Sequence, residues 1–405
     1  MLFTIYKDSF FVIFTGIESF VNNYNINISY FCNRFLINEM GRIKVVHIVE
    51  ALGGGVYTYF KNLTHFFGSA EVTKEIDTII IYSSKRKEID PENIKKDFSE
   101  NVTLIEIDMV RELSPIQDFR SALQLKKLLK ELNPDLIHLH SSKAGVLGRF
   151  ANSLLFSNKK QIFYTPHGYS FLRLDVSQTK RKLYRFIEKY SQRIFGGITI
   201  ACGDTEHEIA QGFGPSTLVR NGINFDEIHA HYKQHQNTRL TIGIVGRITF
   251  ARNPRLFNEI ALRFPQYDFV WIGDGEDRAL ITAPNIKITG WFTDNSEVFP
   301  LLNQLDIYLQ TSLWEGLPIA LLEAMALKKP LVATNIIGNK DVIVSGQNGF
   351  LFDDITELDV IFKQLEDESF RNRLGEEALR NCREKFNTAI NFRQLTETYK
   401  NYFKN

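Results

Sequence analysis

Cysteine is scarce: the 405 residues contain three, Cys32, Cys202 and Cys382. The number is odd and the spacing wide. That excludes a disulfide framework or a zinc ribbon and fits a reducing, cytoplasmic setting. Charge of one sign is lacking too. The 48 basic and 47 acidic side chains leave +1, without the clear basic excess of a nucleic-acid binder, although a local basic face remains compatible with it. No run of about 20 apolar residues occurs, so no membrane-spanning helix is expected. The nearest approach, "FFVIFTGIESFV" (Phe10 to Val21), is short, is broken by Glu18 and has no small-residue cleavage site after it, so it does not read as a signal peptide. No Asp-x-Asp pair is present, which removes the usual acidic pair for Mg²⁺ or Mn²⁺ on a diphosphate. No strand-linked G-x-G-x-x-G with a following acid occurs, which speaks against an NAD dehydrogenase.

What is present is alternation. The length favours two domains of roughly 150–200 residues. The first 39 residues have no clear period, and "MGRIKVVHIVEALGGG" from Met40 reads as a domain start. Residues 1–39 are expected to be a dispensable extension, the alternative being a weak membrane-surface anchor. "IKVVHIV", "DTIIIY", "VTLIEI", "PDLIHLH" and "QIFYTPHG" are strand candidates. "PIQDFRSALQLKKLLKEL" is a helix between two of them. Continuous apolar runs suit strands buried on both faces, and strands alternating with helices imply a parallel, doubly wound sheet. The alternation restarts at "RLTIGIVGRI" and continues through "YDFVWIG", "NIKITG", "LDIYLQTS" and "PLVAT". The expected division is an extension 1–39, a first domain 40–222, a polar linker 223–238, a second domain 239–385 and a terminal helix 386–405. Two Rossmann-like domains with a cleft between them are the simplest architecture, and ligands are then sought at the carboxyl ends of strands.

Several constellations fall there. In "TSLWEGLPIALLEA" (Thr311 to Ala324), Pro318 suits the first turn of a helix and Gly316 lets backbone approach a ligand. The N–H groups near Leu317 form an anion site with the helix dipole. Glu323, further along the helix, suits two neighbouring hydroxyls. The same spacing fits an exposed loop acid, Glu315, and a helix-surface acid. In "GRITFARNP", Arg247 and Arg252 follow a buried strand and could hold a diphosphate, or could be solvated. Gly273 and Gly290 end strands where a base or phosphate could pass, which is weak evidence alone. His167 in "TPHGYSF" faces either a ligand or its own fold. In "HLHSSKAGVLGRF", His138 and His140 share a strand face. Together with Ser141, Ser142 and Lys143 they suit an acceptor-binding loop, and a metal site there lacks a third ligand. "HAHYKQH" has three histidines (His229, His231, His235) but lies in the expected linker. "KRKLYRFIEKYSQRI" places Leu183, Phe186, Ile187, Tyr190 and Ile194 at helical spacing among six cations. That fits a helix on an anionic membrane surface and equally a core helix with a solvated basic face.

Taken in order, "GGG", "TPHG", "VRNGI", "VGRITFARNP", "WIGDGE" and the Glu-x7-Glu of "EGLPIALLE" with "AMALKKPLVAT" resemble the family 4 glycosyltransferases of GT-B fold, over about residues 42–385. "HLHSSKAGVLGRF" is similar to the subgroup that builds capsule, O-antigen or other surface polysaccharides. The resemblance implies an α/β, GT-B enzyme and a retaining transfer from a nucleotide-diphosphate sugar, UDP by base rate. It implies that Glu323 binds the donor ribose and that Glu315, Gly316, Leu317 and Pro318 face the sugar and phosphate. Arg247 and Arg252 then hold the diphosphate, His167 contacts the transferred sugar, and Gly54 and Gly55 admit the donor. His140, Ser141 and Lys143 face a polyprenyl-diphosphate-linked or saccharide acceptor at the inner face of the cell membrane. No metal and no cofactor beyond the nucleotide sugar are expected. Arg252 stands where the family usually has Lys, which keeps the charge and changes its geometry. Rival readings are an epimerase or hydrolase of the same shape and a non-catalytic sugar-nucleotide-binding scaffold. The first lacks further placed acid–base residues. The second predicts donor binding without turnover.

Overall fold

A computed structural model describes residues 41–50, 52–85, 91–110, 114–156, 159–292 and 297–403. The expected extension 1–39 lies outside the described residues. Thirteen strands are ordered along these residues: β1 (Ile43–Val49), β2 (Ile76–Tyr82), β3 (Thr103–Glu106), β4 (Leu136–His140), β5 (Gln161–Thr165), β6 (Ile198–Ala201), β7 (Ser216–Leu218), β8 (Thr241–Val245), β9 (Asp268–Ile272), β10 (Ile286–Ile288), β11 (Ile307–Gln310), β12 (Leu331–Thr334) and β13 (Gly349–Phe352). They form a seven-stranded sheet, order β3-β2-β1-β4-β5-β6-β7, and a six-stranded sheet, order β10-β9-β8-β11-β12-β13. β1 pairs in parallel with β2 and β4, and β8 in parallel with β9 and β11. The doubly wound parallel architecture expected from the alternation is what the chain adopts.

The apolar runs explain the burial. β1 and β2 are buried along almost their whole length, as strands covered by helices on both faces must be. Contacts divide the described residues into two compact units: those up to 165 with 195–197 and 399–403, and those of 166–194 with 198–398. In the first unit, the helix Ser141–Ser153 lies close on the sheet because Gly148 has no side chain. A Cβ there would sit 2.2 Å from a Leu139 methyl. Arg149 of the same helix is buried, stacks over Tyr164 at 4.3 Å and donates to the Gly196 carbonyl at 3.1 Å. In the second unit, Trp271, Phe257, Leu309, Leu321 and Leu322 centre the core. The polar segment 223–238, expected as a linker, opens with the helix Phe225–His229, and Phe225 and Ile228 are buried in that core.

The first unit also buries three imidazoles. β1 pairs with β4 so that His47 stands beside His138, and His140 joins them two residues on. Nδ1 of His47 and Nε2 of His140 share a hydrogen bond at 3.0 Å. His138 meets the Tyr399 hydroxyl at Nδ1, 2.5 Å, and the Thr165 hydroxyl at Nε2, 2.9 Å. Tyr399 belongs to the last turns of the helix Thr388–Phe403.

Burial holds His47 neutral, pushing it down to about 3. The unfolded imidazole takes its proton near 6.5, so protonation favours the unfolded chain. The stability that this neutral ring contributes is present above about pH 6.5 and is lost as pH falls toward 3. Thermal melts between pH 7.5 and pH 5 are expected to show a falling Tm, and His47→Phe is expected to flatten that fall.

Candidate active site

In the second sheet the strand order reverses between β8 and β11. An open parallel sheet has its crevice at the carboxyl ends of such a pair. Two loops leave there, 246–253 from β8 and 311–318 from β11. Asn253 caps the helix Pro254–Arg263, its side chain accepting from the Leu256 N–H, which ends the first loop. The loops are tied together. Thr311 Oγ1 donates to the Arg252 carbonyl at 2.7 Å, and the Leu313 N–H to the Ala251 carbonyl at 2.8 Å.

One carboxylate oxygen organises the pair. Glu315 Oε1 accepts from Arg252 Nη1 at 2.6 Å, Ser312 Oγ at 2.8 Å and Gln310 Nε2 at 2.9 Å. Behind them the Tyr308 hydroxyl donates to Gln310 Oε1 at 2.9 Å, which fixes the amide's orientation. Arg252 and Glu315 are both largely withdrawn from solvent, where a charge-assisted hydrogen bond is stronger than at a surface. Arg247, in contrast, is exposed, and no described residue forms an ion pair or side-chain hydrogen bond with it.

Pro318 precedes the helix Ile319–Ala326 as its cap and offers no side-chain cap bond. The helix starts one residue later than the expected first-turn proline. All eight of its residues are buried, including Glu323 at 9% exposure, so the helix-surface reading of Glu323 is corrected. Among the described residues nothing donates a hydrogen bond to its carboxylate. Burial pushes Glu323 up to about 7, against the opposing pull of Arg252.

A third segment reaches the same place. His167 holds a positive φ of 53°, rare for a residue with a side chain, and burial holds its ring neutral, pushing it down to about 3. The Gly168 N–H donates to Glu206 Oε2 at 2.8 Å, while the other oxygen of Glu206 accepts from the Cys202 N–H at 2.8 Å. This turn touches the Glu315–Gly316 loop. A Cβ on Gly316 would lie 2.8 Å from Gly168 N and 2.9 Å from its Cα.

The structure therefore brings together His167, Arg247, Arg252, Glu315, Gly316, Leu317, Pro318 and Glu323. Gly273 follows β9 directly against Gly246 and adjoins them. Gly290 follows β10, the edge strand, and stands apart. The remaining candidates belong to the first unit. Gly54 and Gly55 start the helix Gly55–Phe67. Ser141 starts the helix after β4, and Lys143 pairs with Asp118 at 2.5 Å. His140 is fully buried and bonded to His47. The expectation that it touches an acceptor is corrected, since it has no surface to offer.

Two family models match this chain: "Glycosyl transferases group 1" over residues 239–365 and "Glycosyl transferase 4-like" over residues 69–199. The chain belongs to the family 4 glycosyltransferases. A UDP-Gal:alpha-D-GlcNAc-diphosphoundecaprenol alpha-1,3-galactosyltransferase of Escherichia coli is 27% identical over 73% of this chain and 81% of its own. The capsular polysaccharide biosynthesis glycosyltransferase CapM of Staphylococcus aureus is 25% identical over 89% and 98%. Among solved structures, Anabaena HepE in complex with UDP superposes with a TM-score of 0.69 at 16% identity, over 89% of this chain and all of its own.

Several residues of this glycosyltransferase escape a sequence reading. Glu206 fixes the His167–Gly168 turn, yet in "GDTEHE" it reads as one more first-turn acid. Asp341 accepts from the Thr205 N–H at 3.1 Å, again with no local signal. His47 supplies the third ring that the His138–His140 pair lacked. One ligand nitrogen from each lies within 4.8 Å of the others, close enough to hold a metal ion, although hydrogen bonds already engage both nitrogens of His138, Nδ1 of His47 and Nε2 of His140. Nε2 of His47 is buried with no hydrogen-bond partner among the described residues. His229 and His235 lead elsewhere, to the Ala326 carbonyl and to Asp306.

Because backbone meets backbone at Gly316, a methyl there has no flexible neighbour to displace. Gly316→Ala is expected to lower glycosyl transfer by about 10²-fold through a displaced loop, with circular dichroism unchanged. Wild-type turnover would break the link between this contact and catalysis.

Proposed function

We propose that this glycosyltransferase moves a sugar, with retention, from a UDP-sugar to a lipid-linked or saccharide acceptor in surface polysaccharide synthesis. The observation that carries the reading is the contrast within one crevice. An anchored ion pair, Arg252–Glu315, stands beside an exposed arginine, Arg247, and a buried carboxylate, Glu323, to which no described residue donates. Arg247 and the uncapped start of the helix Ile319–Ala326 suit the diphosphate. Glu323 suits the two ribose hydroxyls. His167, neutral, suits hydrogen bonding to the transferred sugar. The relatives support the nucleotide and the acceptor class: a UDP-Gal:alpha-D-GlcNAc-diphosphoundecaprenol galactosyltransferase, a capsular polysaccharide enzyme and a UDP complex.

In this reading the acceptor hydroxyl attacks the anomeric carbon from the face the diphosphate leaves. The bond from that carbon to the diphosphate oxygen breaks, and the departing phosphate takes the hydroxyl's proton. The products are a glycoside of unchanged anomeric configuration and a nucleoside diphosphate. No enzyme nucleophile is required, and Glu315 is committed to Arg252, Ser312 and Gln310. The negative charge that grows on the leaving group is met by Arg247, Arg252 and the helix start, so the reading assigns no metal.

The test is a screen of UDP-, GDP- and dTDP-sugars with membrane lipid extract, following nucleotide release and the anomeric configuration of the product. UDP release with retention is expected, and Arg247→Ala is expected to lower kcat by about 10²–10³-fold. Inversion, or undiminished turnover in Arg247→Ala, sinks the assignment.

Glu323 gives a pH signature. An ionised carboxylate accepts both ribose hydrogen bonds and a protonated one does not. With a pKa raised to about 7, UDP affinity is expected to weaken as pH falls from 8 to 6. In Glu323→Gln, titration calorimetry should find that dependence gone and the affinity lower throughout.

A further inference from the structure

The helix Gln178–Phe195 is built inside out. Its buried residues are polar: Glu188 at 4% exposure, Ser191 and Gln192. They are satisfied within the fold. Gln192 donates to the Pro215 carbonyl at 2.9 Å and accepts from the Thr199 hydroxyl at 3.1 Å, and Ser191 donates to the Glu188 carbonyl at 3.2 Å. Four apolar residues face outward, while Ile187 at the edge of the stripe is half-buried. Leu183, Phe186, Tyr190 and Ile194 are exposed, Phe186 at 57% and Ile194 at 70%. At about 100° per residue they form one stripe, and Phe186 and Tyr190 lie against each other, ring centres 4.3 Å apart. This corrects the core-helix reading of the periodicity: the stripe is real and points away from the core.

The charges flank the stripe. By the same helical geometry Lys182, Lys189 and Arg193 run along one side of it, with Lys180 on the other. Six cations stand against one acid in this helix, and that acid, Glu188, is turned inward. Arg181 and Arg185 serve the fold. Arg181 donates to the Phe171 carbonyl at 2.9 Å, and Arg185 lies over the Phe171 and Phe213 rings. Among the described residues, the side chains of Lys180, Lys182, Lys189 and Arg193 make no such contact.

We infer that this face docks on an anionic lipid bilayer, the four apolar side chains entering the headgroup boundary and the flanking lysines and arginine meeting lipid phosphates. An apolar stripe bordered by long cations is the composition of a helix lying in a membrane interface. A second copy of the chain would set like charges against each other, and a nucleic acid would leave the apolar stripe unused. No described helix is long and apolar enough to cross a membrane, so surface attachment is the mode available to these residues. The inference does not depend on the donor reading, because its test contains no sugar nucleotide.

The full chain is to be co-sedimented with phosphatidylcholine vesicles, with and without phosphatidylglycerol. Binding is expected only to the anionic vesicles and should weaken with added salt. Lys182→Glu with Lys189→Glu, and separately Phe186→Ser with Ile194→Ser, are expected to lower the partition coefficient at least about tenfold, with unchanged thermal melts. Leu262→Ser, an equally exposed apolar residue on another helix, should leave it unaltered. Equal binding to neutral vesicles, or undiminished binding by both double variants, overturns the inference. So does a dimer in sedimentation velocity that Phe186→Ser with Ile194→Ser abolishes, since that assigns the face to a second copy.

Discussion

The contact between Arg252 and Glu315 holds two loops that the sheet alone would leave apart. β8 and β11 are neighbours, but each hands its chain to a helix on leaving the sheet, and nothing in strand pairing fixes the segments between. The ion pair, with Ser312 and Gln310 on the same oxygen, closes them into one surface. Removing either partner strands the other charge in a partly desolvated site, which costs more than the pair itself contributes. Everything assigned to the crevice is positioned from this surface: Arg247 before it, the helix start after it and the Gly168 turn against it.

Much of this was legible in the residues. The continuous apolar runs "IKVVHIV" and "LDIYLQ" announced strands covered on both faces, and their alternation with helices announced the parallel order. Arg252 and Glu315 were picked out separately, each at the end of its strand. Their pairing was not, because they are 63 residues apart and strand order is not written in spacing. Glu323 was found, while its burial depended on the whole helix Ile319–Ala326 being enclosed, a tertiary fact.

The misses share one cause. Periodicity tells that a helix has two faces, and not which one the core receives. Leu183, Phe186, Tyr190 and Ile194 were read at the right spacing, yet it is Glu188, Ser191 and Gln192 that turn inward. The same holds for polar residues at strand ends. His140 and Glu206 look like surface chemistry in the sequence, but register and turn geometry put them inside, where hydrogen bonds satisfy them. "HLHSSKAGVLGRF" reads as a binding loop, and Gly148 and Arg149 within it serve close packing of a helix on its sheet.

The bond from Tyr399 to His138 spans 261 residues. On the ribosome, β1 to β5 are made long before the aromatic ring that completes the space around their three histidines. The first unit therefore remains unsealed while the whole second unit is being synthesised. The interior of the first unit is complete only once the last helix is present, so that unit depends on residues made after the whole of the second.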